Sequence, residues 1–250
     1  MVILPVYDDN PATRPALVTW GMMAACVLAF LWQMGLGPDA GQEAVLSLGM
    51  IPAVVSGQAE LAPELYLIPG WATLLSSMFL HGDIMHLAGN MLFLWIFGNN
   101  VEDAMGHWRY FVFYLLCGVA AAMAQMLPNL ASEIPMIGAS GAISGVLGAY
   151  LLLHPKANVR VFMWIVVIVR ILNVPAVIVL GLWFAMQIFS GMSAPAGEAG
   201  IAFWAHAGGF VAGMALIPLF KYANVPLLQG AQSQAFSVTR QLPPRKGPWG

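Results

Sequence analysis

The sequence predicts an all-α membrane protein that crosses the bilayer six times and keeps both termini in the cytoplasm. Three observations lead to this prediction. First, 60% of the 250 residues are hydrophobic and 8% are charged, whereas an ordinary soluble domain is about 45–50% apolar and about 25% charged. Second, the apolar residues form six runs of near-membrane length. Third, the basic residues all fall on one side of the resulting topology.

The six apolar runs define the expected organisation of the chain. They are residues 16–36, 83–100, 108–127, 138–154, 174–190 and 202–220. We therefore expect a cytoplasmic segment (1–15), a six-span membrane domain (16–220) and a flexible cytoplasmic tail (221–250) that is rich in Gln, Ser, Pro and Gly. Prolines and glycines should break the long outer loop, 37–80, into short helices at the membrane interface.

A further apolar stretch, "VFMWIVVIV" (161–169), lies between Arg160 and Arg170. It is far too short to cross a bilayer. We expect it to lie on the membrane surface or to re-enter the membrane without crossing it.

The charged residues orient the six spans. Three loops, 37–80, 128–137 and 191–201, contain acidic residues but no Lys or Arg. The opposite side holds all nine basic residues: Arg14, Arg109, Lys156, Arg160, Arg170, Lys221, Arg240, Arg245 and Lys246. Because basic residues are concentrated in cytoplasmic loops, both termini are predicted to be cytoplasmic.

Polar side chains at membrane depth are costly and commonly mark function. The cores of the predicted spans contain no carboxylate, which argues against proton pumps, cation-coupled carriers and aspartyl intramembrane proteases. His81 and His86 would lie about 140° apart around a helix, and no His-Glu-x-x-His string is present. Cys26 and Cys117 lie in apolar runs and fit small buried hydrophobes. We predict no metal site.

The remaining polar residues fall at one predicted depth. Three spans that run inward each carry such a residue at a similar distance before a charged inner anchor: His86 is 16 residues before Glu102, Ser140 is 16 before Lys156, and His206 is 15 before Lys221. At a rise of about 1.5 Å per residue, these side chains lie within roughly 2 Å of one height. Asn90 shares a helix face with His86. The sequence thus places a serine and a histidine beside a His/Asn pair near the outer surface.

Each of these residues also has a purely structural interpretation. Ser140 could cap the fourth helix, His206 could be a satisfied interior histidine, and His86 with Asn90 could join helices by hydrogen bonds. Small residues four apart let helices approach closely; such pairs are Gly141/Gly145, Ser144/Gly148 and Gly209/Gly213. Close packing is also what would bring Ser140 to His206, so packing and catalysis are compatible.

The shared depth favours catalysis by a Ser-His dyad. A neutral imidazole can take the proton of a serine hydroxyl, so Ser140 would be the nucleophile and His206 the base. His86, the Asn90 amide and the Ser140 backbone N–H could stabilise the oxyanion. No carboxylate is placed to orient His206, whose ring would have to be held by packing.

Three segments resemble the signature regions of the rhomboid intramembrane serine proteases: "HGDIMHLAGNMLFLWIFGNNVEDAMG", "GASGAISGVLGAYLLLHP" and "AHAGGFVAG". The resemblance covers roughly residues 64–220. It implies the same roles for Ser140 and His206, and an oxyanion hole formed with His86 and Asn90. It also implies that Gly138, in the Gly-x-Ser-Gly string with Gly141, opens the turn before the serine.

The resemblance also implies what the protein acts on. Substrates of the family are single-span membrane proteins, cut near a small residue at the outer membrane face. No cofactor, metal or nucleic acid is expected, and the oligomeric state is left open. A bacterial plasma membrane is the expected location. We expect loop 191–201 to cover the site, and the family suggests that substrate passes the fifth span near Trp183 and Phe184.

The chain departs from the family pattern at two positions. Many members carry a Trp-Arg pair in the first outer loop, where this chain has Trp71-Ala72. Some bacterial members place a tyrosine one turn after the nucleophile, where this chain has Ser144. Ser144 is therefore a minor rival nucleophile.

Two other functional classes compete with an active protease. A catalytically silent relative could bind or escort membrane-protein clients, although such relatives usually lose the serine or the histidine. A channel or transporter is a more distant alternative, because the spans lack buried carboxylates and the chain lacks an internal repeat.

Overall fold

A computed structural model describes residues 2–165, 167–193 and 202–230, which are mostly helical. The long helices are α1 (Leu17–Leu36), α5 (Ile84–Met105), α6 (His107–Met126), α7 (Ser140–Leu153), α8 (Ala176–Ser193) and α9 (Phe203–Phe220). Between α1 and α5 lie α2 (Pro38–Leu48), α3 (Pro52–Val55), α4 (Thr73–Ser76) and three 3₁₀ turns (Pro63–Leu65, Gly70–Ala72 and Ser77–Phe79).

The six long helices occupy the six apolar runs. Four of them, α1, α6, α8 and α9, are long and apolar enough to cross a bilayer. Helix α7 has only 14 residues, and α5 has 22 but carries several polar side chains. The chain is therefore a mostly helical, polytopic integral membrane protein.

Helix α7 lies at the centre of the bundle, with α5, α6 and α9 packed around it. Every residue from Gly141 to Tyr150 is buried. Its contact with α9 depends on glycine, because a Cβ atom at Gly209 or Gly213 would overlap the carbonyl oxygen of Gly141 or Gly145, respectively. The backbones of α7 and α9 therefore touch, as small residues four apart permit.

A three-stranded antiparallel sheet adjoins the helices, so the prediction of an all-α protein is wrong here. Its strands are β1 (Val2–Asp8), β2 (Asn158–Ile165) and β3 (Ile168–Pro175), in the order β1-β2-β3. The stretch 161–169 thus forms part of two strands. The N-terminal segment pairs with β2 along most of its length, and this long-range pairing satisfies backbone groups of both segments.

A polar network joins β1 to the inner ends of α5 and α7. The Asp8 carboxylate accepts hydrogen bonds from the Tyr150 hydroxyl (2.7 Å) and the Asn100 amide (2.8 Å). Asn10 donates to Asn100 at 2.8 Å. Burial raises the pKa of Asp8 to about 6.

Glu102, which lies on α5, caps the N-terminus of α1. Its carboxylate accepts hydrogen bonds from the Val18 and Thr19 backbone N–H groups and from the Thr19 hydroxyl, at 2.7–2.9 Å. The residue before α1, Ala16, has no side chain that could cap the helix. Glu102 therefore supplies the acceptors that a helix N-terminus requires.

Two predicted segments fall partly outside the described residues. Of the predicted tail, residues 221–230 contact the bundle: the Tyr222 N–H donates to Ala104 (2.9 Å) and the Leu228 N–H to Leu152 (2.7 Å). The prediction of a flexible tail concerns mainly 231–250, which lie outside the described residues. Most of the predicted covering loop, 194–201, lies outside them as well.

Candidate active site

A cavity of about 620 Å³ is lined by residues of α5, α7, α8 and α9. Its lining brings together residues that are far apart in sequence, including Asp83, His86, Asn90, Ser140, Trp183 and His206. All four polar residues that the sequence placed at one depth therefore line one cavity.

Gly138 shapes the turn that leads into Ser140. Its φ of +124° is one that residues with a side chain rarely adopt, and its N–H donates to the Ser77 carbonyl at 2.8 Å. A Cβ atom here would also lie only 2.8 Å from the His86 ring. Glycine is therefore needed both for the backbone conformation and for the approach of His86.

Ser140 and His206 are in direct hydrogen-bond contact. The Ser140 Oγ lies 2.8 Å from the His206 Nε2, although 66 residues separate them in sequence. Both side chains are half-buried. The glycine contacts between α7 and α9 set this distance, because a wider helix separation would carry the imidazole away from the hydroxyl.

Gln187 on α8 completes a three-residue chain that the sequence reasoning missed. The His206 Nδ1 lies 2.8 Å from the Gln187 Oε1, and Gln187 is buried. With the amide oxygen as acceptor, Nδ1 carries the proton and Nε2 is free to accept from serine. Trp183, one turn earlier on α8, lies against the same imidazole with ring centroids 5.8 Å apart.

His86 and Asn90 occupy the opposite wall, on α5. The Asn90 Nδ2 is buried and has no hydrogen-bond partner among the described residues. It lies 3.8 Å from where a Cβ atom of Gly138 would be. An unsatisfied buried donor is costly, so this amide is suited to meet an acceptor that arrives with a ligand.

The loop before α5 orients this wall. The Asp83 carboxylate caps α5 by accepting from the Met85 and His86 N–H groups at 2.8 Å, and the His86 hydrogen bond lowers the pKa of Asp83. His81 meets His86 edge-to-face, with ring centroids 5.2 Å apart. Burial lowers the pKa of His81 to about 4, which keeps this second imidazole neutral near pH 7.

Ser144 differs sharply from Ser140 in its surroundings. It is 1% exposed, and its hydroxyl donates to the Ser140 carbonyl at 2.7 Å. Ser144 thus forms a hydrogen bond within its own helix, whereas Ser140 meets an imidazole.

Two other residues that the sequence singled out, Trp71 and Phe184, do not line the cavity. Trp71 of the Trp71-Ala72 pair is 69% exposed, away from the cavity. Phe184 stacks on Phe210 with centroids 4.6 Å apart, so Trp183 is the member of the predicted pair that lines the cavity. Within the described residues, no three His, Cys, Asp or Glu side chains are grouped as a metal site would require.

Comparison with known proteins identifies related chains. The Rhomboid domain family matches residues 69–223. The chain is 35% identical over 96 residues to Rhomboid protein 1, mitochondrial, of Saccharomyces cerevisiae, covering 37% of this chain and 28% of the relative. It is 37% identical over 120 residues to Rhomboid protease GluP of Bacillus subtilis, covering 47% and 22%.

A third relative extends the match. The chain is 29% identical over 159 residues to Rhomboid-like protein 11, chloroplastic, of Arabidopsis thaliana, covering 62% of this chain and 52% of the relative. The matched segments therefore span about half or less of these relatives.

Proposed function

The chain belongs to the rhomboid family, and on this premise we propose that it is an intramembrane serine protease. The observation that carries the proposal is the 2.8 Å contact between the Ser140 Oγ and the His206 Nε2 at the edge of a cavity. A serine becomes a useful nucleophile when a neutral imidazole takes its proton. Ser140 would attack the scissile carbonyl carbon while His206 accepts the hydroxyl proton.

His206 then serves as the acid in the second half of the step. When the tetrahedral intermediate collapses, the C–N bond breaks and the imidazolium returns its proton to the departing amine. Water, activated by the same imidazole, hydrolyses the acyl-enzyme and releases Ser140. Gln187 accepts the Nδ1–H throughout, and so holds the ring in the tautomer that leaves Nε2 facing Ser140.

The oxyanion would be stabilised by donors from two helices. Helix α7 begins at Ser140, where backbone N–H groups lack intrahelical partners. Asn90 supplies a buried amide with no partner in the described structure, and His86 lies against Gly138. Such preorganised donors stabilise developing negative charge strongly in a site that excludes water.

The substrates we propose are single-span membrane proteins, cleaved near the outer membrane face. Six long helices and the one-sided basic residues support a six-span topology with both termini cytoplasmic. A bacterial plasma membrane fits this orientation. The cavity is lined by residues of α5 and by Trp183 of α8, and we propose that an unwound substrate segment passes between these two helices to reach Ser140.

Cleavage by reconstituted protein tests the proposal. In proteoliposomes containing a tagged single-span substrate, we expect turnover by the wild-type protein and none by Ser140→Ala or His206→Ala. Asn90→Ala should lower the rate on the order of 10²–10³-fold. Ser144→Ala is the matched control, because it removes a neighbouring buried hydroxyl and should leave turnover largely intact.

A fluorophosphonate probe gives an independent measurement. It should label Ser140 in the wild-type protein and in Ser144→Ala, but neither Ser140→Ala nor His206→Ala. Cleavage that survives Ser140→Ala would disprove the mechanism. A wild-type protein that binds the substrate but neither cleaves it nor takes the probe would instead be a silent client-binding relative.

A further inference from the structure

The β2–β3 hairpin exposes large aliphatic side chains. Along β2, Val159 and Val161 are buried against the rest of the protein. On β3 both faces are exposed: Val169 (56%) and Ile171 (65%) lie on one face, and Leu172 (41%), which pairs with Val161, lies on the other. The sheet therefore presents large aliphatic side chains outward, where a sheet in contact with water would normally present polar ones.

The tip of the hairpin is also apolar. The strands are joined through "IVVI" (165–168), and Val167 is 88% exposed. Hairpin turns in water are dominated by Gly, Asn, Asp, Pro and Ser, and none of these occurs in this turn. A tip with this composition is suited to an apolar environment.

The hairpin is placed where such an environment is available. Strand β3 ends at Pro175 and α8 begins at the next residue, Ala176. The first turns of α8 expose Val177 and Ile178, as expected for a helix that faces lipid. The exposed apolar residues of β3 are thus followed directly in sequence by exposed apolar residues of a helix long and apolar enough to cross a bilayer.

The hairpin is positively charged, which suits it to the anionic headgroups of the cytoplasmic leaflet. Arg160 and Arg170 are exposed on its two strands, one on each face of the sheet, and Arg160 also lies over the Tyr7 ring. The sequence has no acidic residue between Glu133 and Glu198. A basic, acid-free segment is attracted to anionic headgroups, each Arg near the surface contributing about 1 kcal/mol.

We propose that the hairpin docks on the cytoplasmic leaflet of its own bilayer, with Val167 among the acyl chains and Arg160 and Arg170 at the anionic headgroups. This surface contact is distinct from the active site. It uses the orientation proposed above but does not depend on proteolytic activity, so a failed cleavage assay leaves it unaffected.

Depth-dependent fluorescence quenching tests the docking. An environment-sensitive fluorophore is attached to Val167→Cys in protein reconstituted with phosphatidylcholine and phosphatidylglycerol. The two native cysteines are buried, and unsubstituted protein controls for their labelling. The matched control is Asn224→Cys, an exposed position after α9 on the same predicted side.

The proposal expects opposite behaviour at the two positions. The fluorophore at position 167 should be quenched by brominated lipid and shielded from iodide, whereas that at 224 should be quenched by iodide. Equal iodide quenching at both positions would overturn the proposal. So would shielding at 167 that disappears on dilution into excess lipid, because that result would indicate pairing with a second copy of the chain.

The arginines are tested separately. In vesicles that contain phosphatidylglycerol, Arg160→Gln and Arg170→Gln should each weaken docking about fivefold, the equivalent of about 1 kcal/mol. Lys156→Gln, an exposed cation just outside the sheet, should have little effect. Quenching that is insensitive to both arginines and to phosphatidylglycerol would overturn the headgroup contact.

Discussion

The helix pair α7–α9 and the helix α8 each contribute to the hydrogen-bonded chain Ser140–His206–Gln187, but they pack differently. Ser140 and His206 lie on helices whose backbones touch at Gly209 and Gly213. Gln187 lies on α8, which is largely exposed and has weak contacts with the bundle outside α9. The Ser-His distance is therefore fixed by backbone sterics, whereas the orientation of the imidazole depends on a helix that can shift at lower cost.

This difference separates two requirements for catalysis. The nucleophile and base must stay within hydrogen-bond distance, and a rigid glycine interface provides that. The tautomer of the base must also be set, and Gln187 on the more exposed helix α8 accepts the hydrogen bond that sets it.

The largest effect is expected from Gly213→Val. A side chain at this position would overlap the Gly145 carbonyl, so α7 and α9 would have to separate. Because a displacement of about 1 Å can cost on the order of 10²-fold in rate, we expect turnover to fall at least that far, together with a lower melting temperature. Proteoliposome cleavage and thermal unfolding in detergent measure the two effects.

The control is the same substitution on α8. Among the described residues, no heavy atom other than those of the adjacent residues and the backbone of its own helix lies within 4 Å of a Cβ atom at Gly181. Gly181→Val should therefore keep turnover and melting temperature close to wild type. Equal losses in the two variants would show that valine in any membrane helix is harmful, and would remove the contrast between the helices.

An intermediate effect is expected from Gln187→Leu. This substitution keeps the approximate side-chain volume but removes the acceptor for the His206 Nδ1–H. Hydrogen-bond partners that orient metal-bound imidazoles typically change activity about 10–100-fold. Because Gln187 orients an imidazole in the same way, we expect kcat to fall by about that factor with little change in KM. Gln187→Glu retains an acceptor and should recover much of the lost rate.

Gln33→Leu controls for the loss of a buried amide as such. Gln33 is buried and hydrogen-bonds the His81 backbone, so any general cost of removing an amide should appear there as well. If Gln187→Glu is as slow as Gln187→Leu, or if Gln33→Leu is equally impaired, Gln187 is structural and does not position His206.

The smallest effect on turnover is expected from substitution of Asp8, which accepts a hydrogen bond from Tyr150 near the C-terminal end of α7. Burial raises the pKa of Asp8 from 3.8 to about 6. Between these values the folded protein holds a proton that the unfolded chain releases. The contribution of Asp8 to the free energy of unfolding is therefore largest below about pH 4 and is lost as the pH rises through about 6.

Asp8→Asn isolates this contribution. The amide retains an acceptor for the Tyr150 hydroxyl but does not titrate. The stability of the wild type relative to Asp8→Asn should decline as the pH rises from 4 to 7, as measured by thermal unfolding, with turnover at pH 7 little changed. A difference in melting temperature that is constant over this range would contradict the raised pKa.

Sequence reasoning placed the four polar residues of the cavity because the relevant information is local. Ser140 and His206 each lie on a span that the charge pattern predicts to run inward, and residue counts to the charges at its predicted inner end convert into depth. Gln187 was missed, although the same depth count applies to it. Gln187 lies 11 residues, roughly 17 Å, from the first residue of α8. Ser140 lies 13 residues, roughly 20 Å, from the last residue of α7, so the two side chains fall at similar depths.

The sheet was missed for a different reason. The residues of β2 and β3 are mostly apolar on both faces, so they lack the alternation that identifies a half-buried strand. Besides the local partner β3, β2 pairs with β1, and the residues paired between β1 and β2 are more than 150 positions apart, as in Val159 with Asp8. Long-range pairing of this kind leaves no local pattern.

The Glu102 carboxylate, which caps α1 from the C-terminal part of α5, has a consequence for biosynthesis. The first turn of α1 is made by the ribosome 83 residues before the side chain that satisfies it, and α1 precedes the segment that matches the family domain. Helix α1 therefore obtains this cap only after the α5 segment has been synthesised.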